Sequence, residues 1–198
     1  MDNKTLEYYN KTARSYSADT FSVDVSGLRE RFLKYLAPGA RILDFGCGSG
    51  RDAKAFLEAG YRADAADGSP ELCRIASENA GIPVKCMRFR ELDAAAEYDG
   101  IWACASLLHL PKGELPDVFR RMAAALKPGG CLYVSFKYGN FEGERNGRHF
   151  TDMTEEDLKE LTGSGHFGEW MIEEMWITGD ARPGRAAEKW LNAILKMK

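Results

Sequence analysis

Three glycines and one acidic residue near position 46 form the segment of this sequence that is best suited to bind a small ligand. The segment Asp44-Phe45-Gly46-Cys47-Gly48-Ser49-Gly50 follows an apolar stretch and precedes a helical pattern. Glycine lets the backbone approach a ligand closely and adopt conformations that a Cβ forbids. A dinucleotide-binding loop has the spacing G-x-G-x-x-G, which requires glycine at position 51, where this sequence has Arg51. The spacing therefore disfavours a nicotinamide-dependent oxidoreductase, which stays the weaker alternative.

A second acidic residue stands at the end of the next predicted strand. Asp67 follows residues 61–66, and its carboxylate could accept hydrogen bonds from both hydroxyls of a ribose. Asp64 lies two residues earlier on the same face of that strand, and we expect it to be an edge or surface charge. We expect Cys47, inside the glycine segment, to be a small filler whose backbone N–H faces the ligand.

One histidine and four arginines are candidates for contact with a substrate. His109 follows a predicted strand, and because an imidazole titrates near neutral pH it could act as a general base or could cap the loop structurally. The arginines are Arg145, Arg148, Arg182 and Arg185. Guanidinium groups that converge on one site would bind a carboxylate or phosphate, whereas arginines paired with neighbouring acidic residues would not. Both alternatives stay open here.

These residues must be positioned by alternating strands and helices. The predicted strands are residues 41–45, 61–66, 83–89, 100–104 and 131–136. The predicted helices are residues 28–36, residues 51–59, a segment that starts at Pro70, and residues 114–126. Short turns join these elements, which predicts parallel βαβ units with helices on both faces of one doubly wound sheet. Such sheets bind ligands beyond the carboxyl ends of their strands, where the glycine segment and Asp67 lie.

Four motifs in this order resemble those of the class I S-adenosylmethionine-dependent methyltransferases. The first is the glycine segment, which matches (D/E)-x-G-x-G-x-G at every fixed position, and the second is Asp67. The third is Tyr98-Asp99-Gly100-Ile101-Trp102, and the fourth is Leu126-Lys127-Pro128-Gly129-Gly130. The chain also looks similar to the compact bacterial methyltransferases of the tellurite and thiopurine type.

The resemblance implies S-adenosyl-L-methionine as the cofactor and roles for individual residues. Asp44 would face the methionine amino group, Asp67 would bind the ribose, and the two residues after Asp67 would flank the adenine. Phe89 stands where the family often has an acid that binds the adenine amino group, so we expect stacking or backbone contacts there instead. The implied cofactor-binding residues are Tyr16, Asp44, Gly46, Cys47, Gly48, Gly50, Asp67, Gly68, Ser69, Phe89, Cys104 and Ala105.

The resemblance also implies a Rossmann-like α/β fold with a doubly wound sheet of seven strands, mostly parallel with an antiparallel last strand. Residues 169–177 would form the sixth strand, which would bring both arginine-bearing segments to the cofactor face. We predict the last strand over residues 188–196, because sheet topology commonly overrides local periodicity. The alternative is a helix, since a helical stripe also fits this part of the chain. Its members are Ala187, Trp190, Leu191 and Ile194.

We expect one domain over residues 1–198, with three functional parts. Residues 1–27 would form an N-terminal lid, since Tyr8 to Tyr16 resemble the lid of small-molecule methyltransferases. Residues 28–136 would form the cofactor-binding core, and residues 137–198 would form the substrate side.

Composition and charge favour a soluble, cytoplasmic protein. The 27 Lys and Arg against 30 Asp and Glu give a formal net charge of −3, which disfavours a nucleic-acid surface. The longest nearly apolar run, Ile101 to Leu110, is too short to span a membrane. Five cysteines without C-x-x-C spacing disfavour a disulfide framework and a zinc cluster, and the N-terminus has no signal segment.

Methyl transfer to a small molecule is the function that these patterns favour. The sequence has no (D/N/S)-P-P-(Y/F/W) run of the amino-methylating enzymes and no Pro-Cys pair of the cytosine-methylating enzymes. His109, His149 and His166 are not grouped as metal ligands. We expect an enzyme with an anionic acceptor if the arginines converge, and with His109 as the candidate base. The alternative is a module that binds the cofactor but performs no transfer.

Overall fold

The computed structural model describes residues 3–163, 170–182, 184–185 and 187–197. Its strands are β1 Arg41–Phe45, β2 Arg62–Asp67, β3 Val84–Cys86, β4 Tyr98–Ala103, β5 Leu126–Lys137, β6 Glu142–Arg145, β7 Arg148–Thr151, β8 Trp170–Gly179 and β9 Lys189–Met197. Its helices are α1 Asn3–Thr20, α2 Ser26–Leu33, α3 Arg51–Glu58, α4 Pro70–Ala80, α5 Leu115–Ala125 and α6 Glu155–Gly163. Short 3-10 turns cover Phe89–Glu91, Leu107–His109 and Lys112–Glu114.

Seven of these strands form one sheet in the order β3-β2-β1-β4-β5-β9-β8. The first five pair in parallel, and β9 lies antiparallel between β5 and β8. The strand order reverses between β1 and β4, which is where doubly wound sheets bind their ligands. The predicted seven-stranded sheet with an antiparallel last strand is therefore confirmed.

Each face of the sheet carries its own apolar core. Neighbouring residues of β1 point to opposite faces, so Leu43 packs into the core that α5 covers, while Ile42 packs into the core that α2 and α3 cover. In the second core the rings of Trp102 and Tyr133 stack 3.9 Å apart between their centroids. The prediction of helices on both faces is confirmed.

The last strand shows why the helical stripe at the C-terminus was misleading. Leu191, Ala193 and Leu195 face one core, whereas Ile194 faces the other and Asn192 accepts a hydrogen bond from the hydroxyl of buried Tyr133 at 2.7 Å. Both faces of a central strand are buried, so its apolar residues need not alternate with polar ones. Strand periodicity is then hidden, and only topology identifies the element.

Several predicted boundaries differ from the structure. The third strand was predicted over residues 83–89 but covers only Val84–Cys86, because the chain turns into a 3-10 turn at Phe89. The fifth strand begins at Leu126 rather than residue 131, and residues 127–130 form an irregularity in its pairing with β4. The sixth and seventh strands, predicted over residues 169–177 and 188–196, are β8 and β9 with bounds shifted by one or two residues.

The hairpin of β6 and β7 and the helices α1 and α6 had no counterpart in the sequence prediction. The hairpin of β6 and β7 pairs Glu142–Arg145 with Arg148–Thr151 and lies outside the main sheet. Helix α1 packs on α4, where Tyr9 and Ala13 contact Leu72 and Ile75. Within the described residues, no helix combines the length and the apolar character needed to cross a lipid bilayer.

Candidate active site

The glycine segment forms a tight loop between β1 and α3. Gly46, Gly48 and Gly50 all have positive φ angles, of 84°, 55° and 78°. A Cβ on Gly46 would lie 2.4 Å from the Cβ of Ser106, so no other residue fits there without movement. The backbone N–H groups of Gly46 and Cys47 both donate to the carbonyl of Ala66 on β2. The expectation that the Cys47 N–H faces a ligand is therefore wrong, because this bond to β2 uses it.

Asp44 is the acidic residue of this loop and lies almost fully buried at the end of β1. Its Oδ2 accepts a hydrogen bond from the backbone N–H of Ala53 in α3 at 3.0 Å. Burial raises the pKa of Asp44 well above its usual range, and the nearby negative charge of Asp52 adds to this effect. A buried carboxylate of this kind gains from a cationic partner.

Asp67 stands at the end of β2, directly across the loop. Its Oδ2 accepts from the Gly48 N–H at 3.0 Å and its Oδ1 accepts from the Ser69 N–H at 2.8 Å. A carboxylate has about four lone-pair positions, so one remains on each oxygen. Burial raises the pKa of Asp67 to about 6, and the hydrogen bonds from Ser69 and Gly48 oppose this rise.

The predicted adenine side of the site differs from expectation at Phe89. Its ring is buried in the apolar core and meets the ring of Phe45 edge-on, 4.9 Å between centroids. Phe89 therefore belongs to the apolar core, and it lies outside the lining of the cavity next to the glycine loop. Ser69 caps α4, since its Oγ accepts from the Leu72 N–H at 3.3 Å.

Helix α1 lies across the cofactor-binding motifs. The Tyr16 ring would be 3.2 Å from a Cβ on Gly48, and Leu6 would be 2.9 Å from a Cβ on Gly68. The hydroxyl of Ser69 donates to the Asn10 side chain at 2.6 Å. Helix α1, which lies in the predicted lid region, therefore packs against three of the predicted cofactor-binding residues, namely Gly48, Gly68 and Ser69.

A cavity extends from this loop toward β5, β7 and the loop after β8. The predicted residues in its lining are Tyr16, Asp44, Gly46, Cys47, Gly48, Cys104, Ala105, His109, Arg148, Arg182 and Arg185. The predicted residues outside this lining are Gly50, Asp67, Gly68, Ser69, Phe89 and Arg145. Among these, Gly68 lines a second cavity on the other side of α1.

A buried charge network next to Asp44 was not predicted. Asp52 binds Arg51 through both oxygens, at 2.6 and 3.0 Å, and Arg29 at 2.6 Å, and it accepts from the Trp102 indole at 3.0 Å. Burial raises the pKa of Asp52, but the two arginines outweigh this effect and the pKa is lowered. Within this network two cations face one anion, and the charge of Arg51 also acts on the neighbouring carboxyl of Asp44, whose pKa it lowers against the larger effect of burial. The adjacent Arg51-Asp52 pair after the loop was the available signal.

His109 is buried in the 3-10 turn after β4, with hydrogen bonds at both ring nitrogens. Its Nδ1 lies 2.7 Å from the carbonyl oxygen of His149, and its Nε2 lies 2.7 Å from the hydroxyl of Tyr9. Burial lowers the pKa of His109 to about 3, and the charge of Arg148 contributes in the same direction. The imidazole is therefore neutral at physiological pH.

The four arginines do not all converge on the cavity. Arg145 forms a two-pronged ion pair with Asp152, at 2.8 and 2.9 Å, and is not part of the cavity lining. Arg182 lines the cavity but is held by Asp180, and Arg185 lies 3.8 Å from Glu188. Arg148 lines the cavity, and among the described residues no carboxylate lies within 4.0 Å of it. Of the earlier histidine candidates, His166 lies outside the described residues.

Comparison with known proteins agrees with this geometry. Residues 42–130 match the family model of a methyltransferase domain. A ubiquinone biosynthesis O-methyltransferase of Xanthomonas campestris pv. campestris is 32% identical over 133 residues, which cover 62% of this chain and 55% of that protein. The chain thus spans about half the length of the curated relatives it matches.

Solved structures share the fold. The 1,6-didemethyltoxoflavin N1-methyltransferase of Burkholderia thailandensis, with S-adenosylhomocysteine bound, has a TM-score of 0.78 at 22% identity and covers 98% of this chain and 88% of that one. The magnesium protoporphyrin IX methyltransferase of Synechocystis has a TM-score of 0.75 at 17% identity and covers both chains fully. With the four motifs in place at the strand ends, residues 42–130 are identified as a methyltransferase domain, and the chain has the fold of solved S-adenosylmethionine-dependent methyltransferases.

Proposed function

We propose that this chain transfers the methyl group of S-adenosyl-L-methionine to a small-molecule acceptor that carries a negative charge. The observation that carries the proposal is the continuity of one cavity from the glycine loop to Arg148 and His109. Groups suited to the cofactor line one end, and groups suited to an acceptor line the other. The relatives support the small-molecule part of the proposal, since their names assign them to ubiquinone biosynthesis and to toxoflavin.

The residues at the loop fit the charges of the cofactor. Asp44 would hold the methionine ammonium group, which supplies the cation that its buried carboxylate lacks. Arg51, with Arg29 beside it, would hold the methionine carboxylate, because two cations face one anion in the network around Asp52. Asp67 would accept both ribose hydroxyls with its two remaining lone pairs.

Methyl transfer needs no covalent bond between the protein and the reactants. The sulfonium of the bound cofactor supplies an activated methyl group. The residues of the chain then align the acceptor, exclude water and remove a proton where the acceptor needs it. Helix α1 would exclude water as a lid, while Tyr16, Cys104 and Ala105 would form the wall between cofactor and acceptor.

Arg148 is the group that favours an anionic acceptor. Its guanidinium lies against the rings of Tyr8 and Phe150, 4.5 and 5.1 Å from their centroids, and its Nε is buried without a hydrogen-bond partner. A cation in this setting is poorly solvated and gains from a carboxylate or phosphate. Arg182 and Arg185 would add positive potential, whereas Arg145 is used by Asp152.

The compartment and the partners are part of the same proposal. The five cysteines Cys47, Cys73, Cys86, Cys104 and Cys131 are all free, which favours the reducing cytoplasm. We expect a small molecule as the partner, and no nucleic acid, because the cavity is deep and the net charge is negative.

Calorimetry and turnover together test the proposed function. We expect S-adenosylhomocysteine to bind and NAD to show no binding, since position 51 is arginine. With labelled cofactor and a library of small acids and their neutral amides, methylated product should form from acids, and Arg148→Gln should remove that preference. Binding of NAD alone would contradict the assignment, and cofactor binding without product across the library would favour the module that performs no transfer.

A further inference from the structure

Tyr9 of helix α1 and His109 line the same end of the cavity, and the Tyr9 hydroxyl is the hydrogen-bond partner of the imidazole Nε2. The Tyr9 side chain is 8% exposed and lines the cavity, and its hydroxyl lies 2.7 Å from His109 Nε2. Sequence reasoning placed Tyr9 only in the lid region and gave it no role. The distance is that of a strong hydrogen bond between two groups that exchange protons.

The direction of this hydrogen bond follows from the partner of the other ring nitrogen of His109, Nδ1. His109 Nδ1 lies 2.7 Å from the carbonyl oxygen of His149, and a carbonyl can only accept. Nδ1 therefore carries the proton of the neutral imidazole, and Nε2 has only a lone pair. Tyr9 must donate its hydroxyl proton to Nε2.

Arg148 is the second hydrogen-bond partner of the Tyr9 hydroxyl. Its Nη1 donates to the Tyr9 oxygen at 3.3 Å. This oxygen donates to His109, accepts from Arg148 and keeps one lone pair free. The charge of Arg148 also stabilises negative charge on the phenol oxygen, and it lowers the pKa of Tyr9 against the larger effect of burial, which raises it.

We propose that Tyr9 is a catalytic residue that passes the acceptor proton to His109 during methyl transfer. The proposal rests on the proposed function, because it needs an acceptor in the same cavity. His109 then serves as the final base without touching the acceptor, and α1 carries part of the catalytic machinery as well as the lid.

Protons and electron pairs balance in this step. The acceptor X–H gives its proton to the free lone pair of Tyr9 oxygen, while the original Tyr9 proton moves to His109 Nε2. The X electron pair forms the X–CH₃ bond, and the electron pair of the S–CH₃ bond stays on sulfur, which becomes neutral. His109 ends as an imidazolium bonded to the His149 carbonyl, and it loses its proton to solvent after the product leaves.

An anionic acceptor would make His109 a better base. Burial and the positive charge of Arg148 both lower the pKa of His109, to about 3 in the absence of an acceptor. The groups that face the imidazole are Tyr9 from α1 and Arg148 with His149 from β7. An acceptor carboxylate beside Arg148 would remove part of this unfavourable charge, so the basicity would rise when the acceptor is bound.

Nitrogen-15 NMR of the histidine rings tests the first link without any acceptor. In the complete chain with S-adenosylhomocysteine, we expect His109 to be the neutral Nδ1–H tautomer. Tyr9→Phe should move the Nε2 resonance toward that of a nitrogen without a hydrogen bond. Tyr35→Phe is the matched control, because the Tyr35 hydroxyl donates to Glu174 far from the cavity. An Nε2–H tautomer would overturn the proposal, because Tyr9 could then not donate.

Two probe acceptors test the second link. We would use 3-hydroxybenzoate, whose phenol needs a base, and 3-mercaptobenzoate, whose thiol is largely ionised at neutral pH. Tyr9→Phe should lower kcat for the phenol by roughly 10²- to 10⁴-fold and leave the thiol nearly unchanged. Equal losses for both would mean a structural role and overturn the relay.

Two further results separate the relay from the proposed function. Unchanged S-adenosylhomocysteine affinity in Tyr9→Phe keeps the proposed function intact even if the relay fails. If neither benzoate is methylated, the relay is tested by the nitrogen-15 NMR measurement of the His109 tautomer, and an Nε2–H tautomer overturns it.

Discussion

At the scale of single residues, Asp67 shows how a short motif creates a ligand group with an unusual pKa. Two backbone N–H groups fix both carboxylate oxygens, and burial raises the pKa to about 6. Both facts follow from the tight packing of the loop against β2, which brings the Gly48 N–H to the end of that strand. The residue type was predictable from the motif, whereas its titration near neutral pH was not.

We predict that affinity for S-adenosylhomocysteine falls as the pH drops through about 6. Protonation of Asp67 replaces an acceptor oxygen by a hydroxyl, so affinity should fall by up to about tenfold per pH unit below that value. Titration calorimetry from about pH 5 to about pH 8 measures this affinity. Asp67→Asn should bind more weakly and show a smaller pH dependence, the remainder belonging to Asp44. Asp64→Asn, on the same strand, should behave as the unchanged chain does, and an unaltered pH profile in Asp67→Asn would contradict the ribose role.

Arg51 gives a second prediction at this scale. If its guanidinium holds the methionine carboxylate, Arg51→Met should weaken S-adenosylhomocysteine by about 1.5–3 kcal/mol, the usual range for a charged hydrogen bond. Methylthioadenosine lacks that carboxylate, so its affinity should stay the same and show that the site is still folded. Equal weakening of both ligands would mean that Arg51 supports the loop rather than the ligand.

At the scale of elements, the glycines around α3 separate two reasons for being glycine. Gly50 precedes the helix and Gly60 follows it, with positive φ angles of 78° and 85°. A Cβ on Gly50 would lie 2.8 Å from the carbonyl oxygen of Ala76 in α4, whereas a Cβ on Gly60 would meet nothing within 4 Å. The first glycine therefore allows α3 and α4 to pack, and the second only ends a helix.

We predict that Gly50→Ala and Gly60→Ala differ in their effect on the free energy of unfolding. In both variants the left-handed backbone conformation lowers the free energy of unfolding by about 1–2 kcal/mol. Gly50→Ala adds the overlap with Ala76, for a total of about 2–5 kcal/mol. Urea denaturation followed by circular dichroism measures both, and similar values for the two would show that the loop and α4 can move apart freely.

The elements also show which parts of the fold were readable from the sequence. Most segments from β1 to α5 have turn residues at their ends, such as Pro70 and the Pro-Gly pair at residues 38–39, and were predicted to within one or two residues, with β3 as the exception. The β6–β7 hairpin was missed because β6 is the short polar segment Glu142–Arg145, which has no apolar alternation. Its importance lies in the backbone carbonyl of His149 and the side chain of Arg148, which tertiary contacts with the 3-10 turn at His109 and with α1 bring to the site.

At the scale of the whole molecule, β9 holds the sheet together although it comes last in the chain. It pairs with β5 over residues 190–196 and with β8 over residues 189–197. Leu195 is fully buried between Leu132 and Ile172 in this register. The sheet is therefore continuous from β5 to β8 only when β9 is in place.

We predict that Leu195→Ala lowers the free energy of unfolding of the whole molecule by about 2–5 kcal/mol, because it leaves a cavity in the centre of the sheet. Urea denaturation monitored by tryptophan fluorescence and by circular dichroism should show one shifted transition. Met171→Ala on the neighbouring strand removes a side chain that is 44% exposed, and we expect a change within about 0.5 kcal/mol. Two separated transitions in Leu195→Ala would show that β8 and β9 unfold independently.

The candidate site was predictable where one segment of chain builds it and not where distant segments meet. Asp44 and Asp67 each stand at a strand end, so the sequence located both. The grouping of Tyr9, His109 and Arg148 depends on contacts across about 100 residues or more of chain. Whether an arginine is free or paired depends on the same long-range contacts, which is why Arg145 was misplaced and Arg148 was not distinguished from it.

The position of α1 has a consequence for how fast ligands exchange. Leu6, Asn10 and Tyr16 lie against Gly68, Ser69 and Gly48, so if α1 is the lid that we propose, it would have to leave these residues before a bulky nucleoside could enter or depart. Association would then be gated, and its observed rate would level off at high ligand concentration at the opening rate of the helix. The same opening would time product release, so the helix that completes the site would also set the pace of each catalytic cycle.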